Sequence, residues 1–306
     1  MHRALEDDCY NVRVPELPEV ETVKAGLQRL LPGLVVASVT SDTPKSFPNA
    51  AADVSGFLVG ASVVAVTRRA KVLLIELSSK YSLVIHLKMT GQLVFDGQNT
   101  HFGAGHPSDS LVGALPDKST RVVLTFTDGS KLFFNDQRKF GWMRLMPTAE
   151  IPQLNFFKKV GPEPLSAEFS WQQLRDRLQR RKNTNIKAAL LDQTVVAGVG
   201  NIYADESLWG AKIHPATLVR NLGDAKFKVL FTALQSVLQL SIDKGGSSNH
   251  TYVDAEGNKG SYMNFAQVFR REGQVCNRCG TTIIKTRVAG RGTHVCPHCQ
   301  KAPSAS

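Results

Sequence analysis

Long apolar runs are missing from this sequence, and cysteines and acidic residues are few. Because no stretch of about 18 consecutive apolar residues occurs, we expect no transmembrane helix. The first thirteen residues carry acidic side chains and lack an apolar centre, so we expect no secretory signal peptide. Hydrophobic residues account for 42% and charged residues for 21% of the 306 positions, which excludes wholesale disorder and is typical of about two globular domains.

Basic residues outnumber acidic ones, 37 to 26, so that the formal net charge is +11. This excess favours nucleic acid as the partner, although a basic enzyme without that partner can have the same composition. Lysine and arginine are concentrated in residues 175–182 and 270–301. Both segments are candidate phosphate contacts, since clusters of this kind neutralise a nucleic-acid backbone.

The few cysteines have a metal-ligand spacing. Besides Cys9, the chain has two C-x2-C pairs separated by 16 residues: Cys276, Cys279, Cys296 and Cys299. This spacing predicts one structural zinc ion held by four thiolates. Two disulfides would be the alternative in a secreted protein, but no secretion signal is present. His294 and His298 lie nearby, and we do not expect them to bind the metal because the cysteines already fill four positions.

Hydrophobic periodicity divides the chain into a β-rich part, a helical part and the cysteine module. A helix is predicted over 15–31, short strands over 34–146, and a hairpin turn at 127–130. The stretch 97–117 is rich in glycine and proline and is predicted to be a long loop. Predicted helices follow at 168–181, 186–192, 199–211 and 223–244. A tight turn at Gly198 and Gly200 is expected just before Asn201.

Five motifs occur in one order along the chain. They are PELPEVETV at 15–23, HLKMTGQL at 86–93, NDQRKFG at 135–141, GVGNIYADE at 198–206, and the four-cysteine module. In this combination the sequence resembles bacterial formamidopyrimidine-DNA glycosylases over about residues 15–301. The resemblance implies an α+β multidomain fold: an N-terminal β-sandwich with a leading helix, a helix–two-turn–helix domain, and a C-terminal β-hairpin zinc finger.

The resemblance also implies domain boundaries. We expect an extension over 1–14 that is absent from the mature protein, a catalytic β-sandwich over 15–147, and a linker over 148–165. A helix–two-turn–helix domain would span 166–267, with a loop at 245–263 that closes over the damaged base. The zinc finger would span 268–306.

The implied activity is base-excision repair. The family removes oxidised purines, such as 8-oxoguanine and formamidopyrimidines, opposite cytosine in duplex DNA, and cleaves the strand by β,δ-elimination. One structural zinc ion and no redox cofactor are expected. We further expect a monomer without membrane association, located in the bacterial cytoplasm and bound to the nucleoid through DNA.

Pro15 matches the family's nucleophile, an N-terminal proline whose amine forms a Schiff base with the sugar. An α-amine has a pKa of about 8, against about 10.4 for lysine, and is therefore the better nucleophile at neutral pH. Here Pro15 is internal, and an amide nitrogen cannot attack. We therefore expect that residues 1–14 are removed or that translation starts later. A GTG codon for Val14, read as an initiating methionine, would place the start there.

Four further residues match catalytic positions. Glu16 corresponds to the general acid/base, and Glu19 is a possible support that positions the amine or only caps the helix. Lys71 corresponds to the lysine that acts in β-elimination. Arg291, at the tip of the cysteine module, corresponds to the arginine that grips the flanking phosphates and assists δ-elimination.

The remaining matches concern DNA binding. Met89 and Phe140 correspond to residues that fill the gap left by an extruded base, and Arg138 to the one that bonds the orphan cytosine. Lys187 and Asn201 match phosphate binders, and Asn183 lies at another contact position. Ser119 replaces a histidine that contacts DNA in many members.

Two other functions stay open. An endonuclease VIII-like enzyme would remove oxidised pyrimidines, but that branch usually begins PEGPE, whereas Leu17 here gives PELPE. A non-catalytic protein that binds lesion DNA is the alternative if Pro15 remains internal. Excision from 8-oxoguanine and thymine-glycol duplexes would separate the two glycosylases.

Overall fold

The computed structural model describes residues 15–106, 108–247 and 261–303. The described residues form two compact units, each with its own core: residues 15–106 and 108–154 with 245–247, and residues 155–244 with 261–303. The predicted extension over 1–14 lies outside the described residues. Among the helices of the described ranges, none combines the length and apolarity that crossing a bilayer requires.

The first unit contains two antiparallel sheets and a leading helix. Its helices and strands are α1 Leu17–Leu30, β1 Val36–Ser41, α2 Ala51–Asp53, β2 Val63–Arg69, β3 Val72–Leu77, β4 Tyr81–His86, β5 Gly91–Asp96, β6 His101–Gly105, β7 Thr120–Phe126, β8 Lys131–Asp136 and β9 Trp142–Pro147. The strand order is β1-β7-β8-β5-β6 in one sheet and β2-β3-β4-β9 in the other. A short 3-10 helix, Thr148–Gln153, ends the unit.

One hydrophobic core joins both sheets and α1, which confirms the predicted β-sandwich. Val122, Leu124 and Phe126 alternate along β7, so all three point into this core. Ile75 and Leu83 reach it from the other sheet. Apolar residues at helical spacing on α1 complete the cluster, namely Val20, Val23 and Leu27. The sandwich thereby fixes the start of α1.

The stretch 97–117 is more structured than predicted. It contains β6 and a short 3-10 helix at Asp109–Leu111, and the prediction of a long loop was wrong there. Leu111 covers Val94 and Phe133, which lie on the outer face of the five-stranded sheet. Gly103 permits this packing, because a Cβ at that position would lie 2.8 Å from the Leu111 carbonyl oxygen.

The second unit is helical and ends in a β-hairpin. Its elements are α3 Asn155–Lys159, α4 Trp171–Gln179, α5 Ile186–Leu191, α6 Asn201–Gly210, α7 Asp224–Asp243, β10 Ile284–Val288 and β11 Arg291–Val295. Short 3-10 helices occur at Val219–Asn221 and Tyr262–Asn264. The helical part and the two-stranded zinc finger agree with the expected fold class.

The tight turn before α6 is confirmed. Gly198 adopts a φ of +77°, a conformation that favours glycine. The side-chain amide of Gln193 holds the turn, since its oxygen accepts the Gly198 N–H at 2.9 Å and its nitrogen donates to the Val199 carbonyl at 2.8 Å. The turn places Asn201 as the first residue of α6.

Candidate active site and nucleic-acid interface

The start of α1 carries two buried carboxylates beside the predicted nucleophile. Glu16 and Glu19 are each only 5% exposed, and Pro15 is buried as well. The Glu19 carboxylate accepts the backbone N–H of Glu16 at 2.9 Å and that of Ser247 at 2.8 Å. Glu19 therefore fixes the peptide that follows Pro15 and also the beginning of the predicted lesion loop. The remainder of that loop, 248–260, lies outside the described residues.

Lys71 lies in a two-residue turn rather than within a strand. Arg69 at the end of β2 pairs with Val72 at the start of β3, so that Ala70 and Lys71 form the hairpin turn. Ala70 takes a φ of +54°, as such turns require. The Lys71 side chain is half-buried at this sheet end.

His86, which the sequence analysis did not single out, lies close enough to Lys71 to sense its charge. Burial, together with the Lys88 and Lys71 ammonium groups, lowers the pKa of His86 to about 3. The imidazole is therefore neutral at physiological pH. Its Nδ1 accepts the Lys88 N–H at 3.0 Å, which leaves the proton on Nε2. Its position in the HLKMTGQL motif was the available signal.

Buried polar side chains join the two turns that carry the predicted base-replacing residues. Met89 lies in the turn between β4 and β5, and Arg138 and Phe140 lie in the turn after β8. The Thr90 hydroxyl donates a hydrogen bond to the buried carboxylate of Asp136. That carboxylate also accepts the backbone N–H groups at both ends of the second turn, at 3.2 and 2.6 Å. The structure thus brings the predicted Met89 and Arg138 segments together.

Phe140 is 45% exposed and lies between two cations. The Arg138 guanidinium is 5.0 Å and the Lys45 ammonium 5.6 Å from the centre of its ring. Lys45 was missed from the sequence, because it belongs to a loop far from the NDQRKFG motif. That loop is tied to β9 by Ser46, whose carbonyl accepts the Met143 N–H at 2.9 Å.

In the second unit, Lys187 is completely buried. Its ammonium lies 2.7 Å from the Asp205 carboxylate and donates to the Thr293 hydroxyl at 2.7 Å and to the Gly292 carbonyl at 3.0 Å. Asn201 donates to the same Gly292 carbonyl at 3.1 Å. Sequence reasoning gave Lys187 and Asn201 as phosphate binders, whereas in this structure both side chains bond to the strand that carries Arg291.

Arg291 and Asn183 occupy different environments. Arg291 begins β11 directly after a two-residue turn, in which Ala289 and Gly290 both have positive φ values of 50° and 75°. Its side chain is exposed and has no hydrogen-bond or ion-pair partner among residues 15–106, 108–247 and 261–303. Asn183 is exposed too, and its side-chain oxygen accepts a hydrogen bond from Arg220 at 2.9 Å.

The four predicted zinc ligands converge. The sulfur atoms of the four cysteines lie within 4.8 Å of one another, and those of Cys279 and Cys296 are 3.4 Å apart. Tetrahedral coordination at the usual Zn–S distance separates sulfur atoms by about 3.8 Å, so the cluster fits one zinc ion. The Trp209 indole N–H donates to the Cys276 sulfur at 3.4 Å, which ties the cluster to α6.

Most of the chain matches one family of known proteins. Family models match residues 14–143 (formamidopyrimidine-DNA glycosylase N-terminal domain), 160–253 (its H2TH domain) and 273–302 (zinc finger found in FPG and IleRS). The formamidopyrimidine-DNA glycosylases of Pediococcus pentosaceus and Desulforamulus reducens are 40% and 41% identical to it, over 94% of this chain and 99% and 100% of theirs. The chain belongs to the formamidopyrimidine-DNA glycosylase family.

Solved structures of this family agree. Lactococcus lactis Fpg bound to DNA with an abasic site is 36% identical, with a TM-score of 0.82 over 94% of this chain and 100% of that one. MutM in complex with DNA that contains carbocyclic 8-oxoguanine is 34% identical, with a TM-score of 0.81 and the same coverage.

As a formamidopyrimidine-DNA glycosylase, the protein is a base-excision repair enzyme that acts on oxidised purines in DNA and is also an AP lyase. It binds damaged duplex DNA, and its four-cysteine finger holds a structural zinc ion. These findings confirm the predicted function, enzyme class and metal.

One of the two basic segments is largely engaged within the glycosylase itself. In 175–182, Arg175 pairs with Asp176 and Asp224. Arg181 pairs with Asp192 at 2.8 Å, and Arg177 donates to the Thr194 carbonyl. The predicted phosphate contacts in this segment are therefore better placed to brace α4, since their guanidinium groups already have partners.

Proposed function

We propose that Pro15 is the nucleophile once its nitrogen is a free N-terminal amine. The observation that carries this proposal is the Glu19 carboxylate on the N–H of Glu16, which holds the peptide next to Pro15. The match of the N-terminal domain at residue 14 supports it, because it sets Pro15 at the beginning of that domain. With a pKa of about 8, roughly a tenth of an α-amine is unprotonated at about pH 7, a far larger share than for a lysine amine, and the attack requires this free base.

The proposed reaction begins at C1′, the sugar carbon that carries the damaged base. The proline nitrogen forms a bond to C1′ while the bond from C1′ to the damaged base breaks, and Glu16 protonates the ring oxygen or the departing group. The proline nitrogen then loses its proton and the C1′–O4′ bond breaks, with a proton taken up by the ring oxygen, which leaves an iminium. The iminium allows loss of a C2′ proton and departure of the 3′-phosphate. Lys71 assists this β-elimination, and Arg291 binds the flanking phosphates through the δ-elimination that releases the 5′-phosphate.

The extruded purine leaves a gap that the first unit fills. Met89 and Phe140 supply apolar surface for the gap, and Arg138 donates hydrogen bonds to the orphan cytosine. The link between Thr90 and Asp136 supports this assignment, since it holds both turns in one arrangement. Oxidised purines opposite cytosine are accordingly the preferred substrates. Asn183 contributes a further DNA contact.

The assembly and location follow the family expectation. The protein acts as a monomer in the bacterial cytoplasm and is held at the nucleoid by DNA binding. No redox cofactor takes part, because the elimination steps transfer protons and leaving groups but no electrons to an acceptor.

Borohydride trapping on an 8-oxoguanine·cytosine duplex tests the nucleophile. We compare the full chain with protein that begins at Pro15, and determine the N-terminus of each by mass spectrometry. Covalent trapping only by protein with Pro15 exposed supports the proposal. Trapping by an intact full-length chain moves the nucleophile to another amine, with Lys71 the first to test, and failure of both contradicts the proposed chemistry.

A further inference from the structure

Two side chains from the helical part hold the strand that follows Arg291. The Gly292 carbonyl oxygen accepts hydrogen bonds from Lys187 at 3.0 Å and from Asn201 at 3.1 Å. Lys187 belongs to α5 and Asn201 to α6, so two helices meet at one peptide of β11. The hairpin position is therefore set at the residue next to the exposed arginine.

The Lys187 ammonium is engaged within the protein. It forms an ion pair with the Asp205 carboxylate and donates hydrogen bonds to the Thr293 hydroxyl and the Gly292 carbonyl. The side chain is 0% exposed. A buried lysine is stable only when paired, and Asp205, also 0% exposed, supplies the counter-charge.

Asp205 binds the hairpin as well. Its second oxygen accepts the backbone N–H of His294 at 2.9 Å and lies 3.4 Å from the imidazole Nδ1 of the same residue. The imidazole packs edge-on against Phe269, with ring centres 4.9 Å apart. The Asp205 carboxylate thus links Lys187 to β11.

A chain of hydrogen bonds then leads to Arg291 itself. The Thr293 hydroxyl accepts from Lys187 and donates to the Arg291 carbonyl at 2.9 Å. The peptides on both sides of Gly292 are therefore held by hydrogen bonds, while the Arg291 guanidinium stays exposed. A functional group on rigid support loses little freedom when it binds its ligand.

We infer that Lys187, with Asp205 and Thr293, is a positioning residue that acts on DNA through Arg291. This inference rests on the proposed function, in which Arg291 binds the phosphates that flank the lesion. Asn201 takes part through the shared Gly292 carbonyl. The ion pair between Lys187 and Asp205 sets the geometry of the fingertip and makes no phosphate contact of its own.

A double-mutant cycle tests this inference with Thr293→Val and Arg291→Ala. Valine keeps the shape of threonine but has no hydroxyl, and Thr293→Ser is the matched control that keeps it. The probe is a duplex that contains a tetrahydrofuran abasic analogue. With Arg291 present, we expect Thr293→Val to weaken binding about tenfold and Thr293→Ser to bind within about twofold of the parent. In the Arg291→Ala background, Thr293→Val should change affinity by less than about twofold, because the interaction through which it acts is then absent.

A second variant tests the same inference without changing Thr293. Lys187→Met with Asp205→Asn removes the ion pair without leaving a buried charge unpaired. Zinc content and circular dichroism establish that each variant is folded. If this double variant also loses affinity only when Arg291 is present, the positioning role stands.

The outcomes separate the inference from the proposed function. Equal losses from Thr293→Val in both backgrounds would overturn the inference, because the effect would then not pass through Arg291. If Arg291→Ala itself binds the probe as well as the parent does, the role proposed for Arg291 fails first.

Discussion

At the scale of single residues, Lys45 is a candidate DNA contact that the structure adds to the sequence motifs. Its ammonium lies over Phe140, the side chain proposed to enter the DNA, and it is exposed. We expect Lys45→Met to weaken binding of duplex DNA and to reduce the slope of log K against log salt by about 0.9, the value for one phosphate contact. Fluorescence anisotropy at several salt concentrations measures this slope.

Lys131→Met is the matched control for Lys45. Lys131 is an exposed lysine at the beginning of β8, about 17 Å of strand away from Asp136 and the turn that carries Phe140. For Lys131→Met, the slope of log K against log salt should equal that of the parent protein. An unchanged slope for Lys45→Met as well would show that the lysine only covers Phe140.

His86 makes a second prediction at this scale, concerning stability. Its pKa of about 3 lies below the ordinary value of about 6.5, so between these pH values the unfolded chain binds a proton that the native state does not. The free energy of unfolding should therefore fall as pH drops below about 6.5, by at most about 1.4 kcal/mol per unit from this group. Urea unfolding of the parent and His86→Gln measures the difference.

The variant should show a shallower loss of stability between about pH 6 and about pH 4.5, a range that lies between the unfolded and folded pKa values of His86. Above about pH 7.5 the two curves should run parallel, because His86 is then neutral in both the folded and unfolded chains. Parallel curves at acid pH as well would contradict the lowered pKa.

The sequence motifs located candidate residues along the chain but did not reveal the surroundings of each side chain. The motifs led to Glu16, Arg138 and Arg291, which the structure places at a helix start, in a turn and at a hairpin tip. They did not reveal that Lys187 is buried, because its partners Asp205 and Gly292 are distant in sequence and no local pattern connects them.

At the scale of elements, the turn after β8 depends on one carboxylate. Asp136 accepts the Thr90 hydroxyl and two backbone N–H groups. Asp136→Asn turns one acceptor into a donor that faces a donor, which costs about 1–3 kcal/mol for a buried group. We expect this loss in urea unfolding, together with weaker binding to an abasic duplex because the Arg138 and Phe140 turn is released.

Asp128→Asn provides the comparison. Asp128 also binds a backbone N–H within a turn, that of Ser130 at 2.9 Å, but it lies in the turn between β7 and β8. It should alter DNA binding by less than about twofold, since surface substitutions away from the site have small effects. If both variants bind DNA equally well, the hydrogen bonds of Asp136 do not position the turn that carries Arg138 and Phe140.

Trp209 contacts the zinc finger, so its fluorescence should report on the state of the metal site. The indole N–H bonds the Cys276 sulfur, and the Arg278 guanidinium lies 3.7 Å from the ring centre. Chelation of zinc removes the finger's cross-link, so we expect red-shifted tryptophan emission, loss of DNA binding, and recovery of both when zinc is restored. Trp209→Phe should still bind zinc, but its tryptophan emission should not shift when zinc is removed. An equal red shift in that variant would show that the signal comes from another tryptophan.

Elements were predictable where their period was clear. The alternating residues of β7 and the apolar spacing of α1 both predicted the observed elements. β6 was missed because Gly103 and Gly105 give no hydrophobic alternation, although they allow close backbone packing. The turn that carries Lys71 was not predicted, because a two-residue turn without glycine leaves no composition signal.

At the scale of the whole molecule, order along the chain carried more information than any motif. A β-rich part followed by helices and a four-cysteine module is a coarse pattern, yet it matched the observed sandwich, helical domain and hairpin. The excess of basic residues pointed to nucleic acid, although several of the arginines responsible already have carboxylate partners within the protein. Net charge thus indicates the class of partner without identifying the contacts.

The salt dependence of binding by the whole protein follows from these contacts. Lys45, Lys71 and Arg291 are three candidate phosphate partners, so the slope of log K against log salt should be about −2.7 or steeper. Raising salt from about 50 to 200 mM should then weaken binding on the order of 40-fold or more. Because phosphates are the same in damaged and intact duplexes, the slope should be equal for both, while their affinity ratio stays constant with salt. A ratio that changes with salt would mean that the lesion alters the number of phosphates bound, and that closure on the damaged base recruits cations beyond these three.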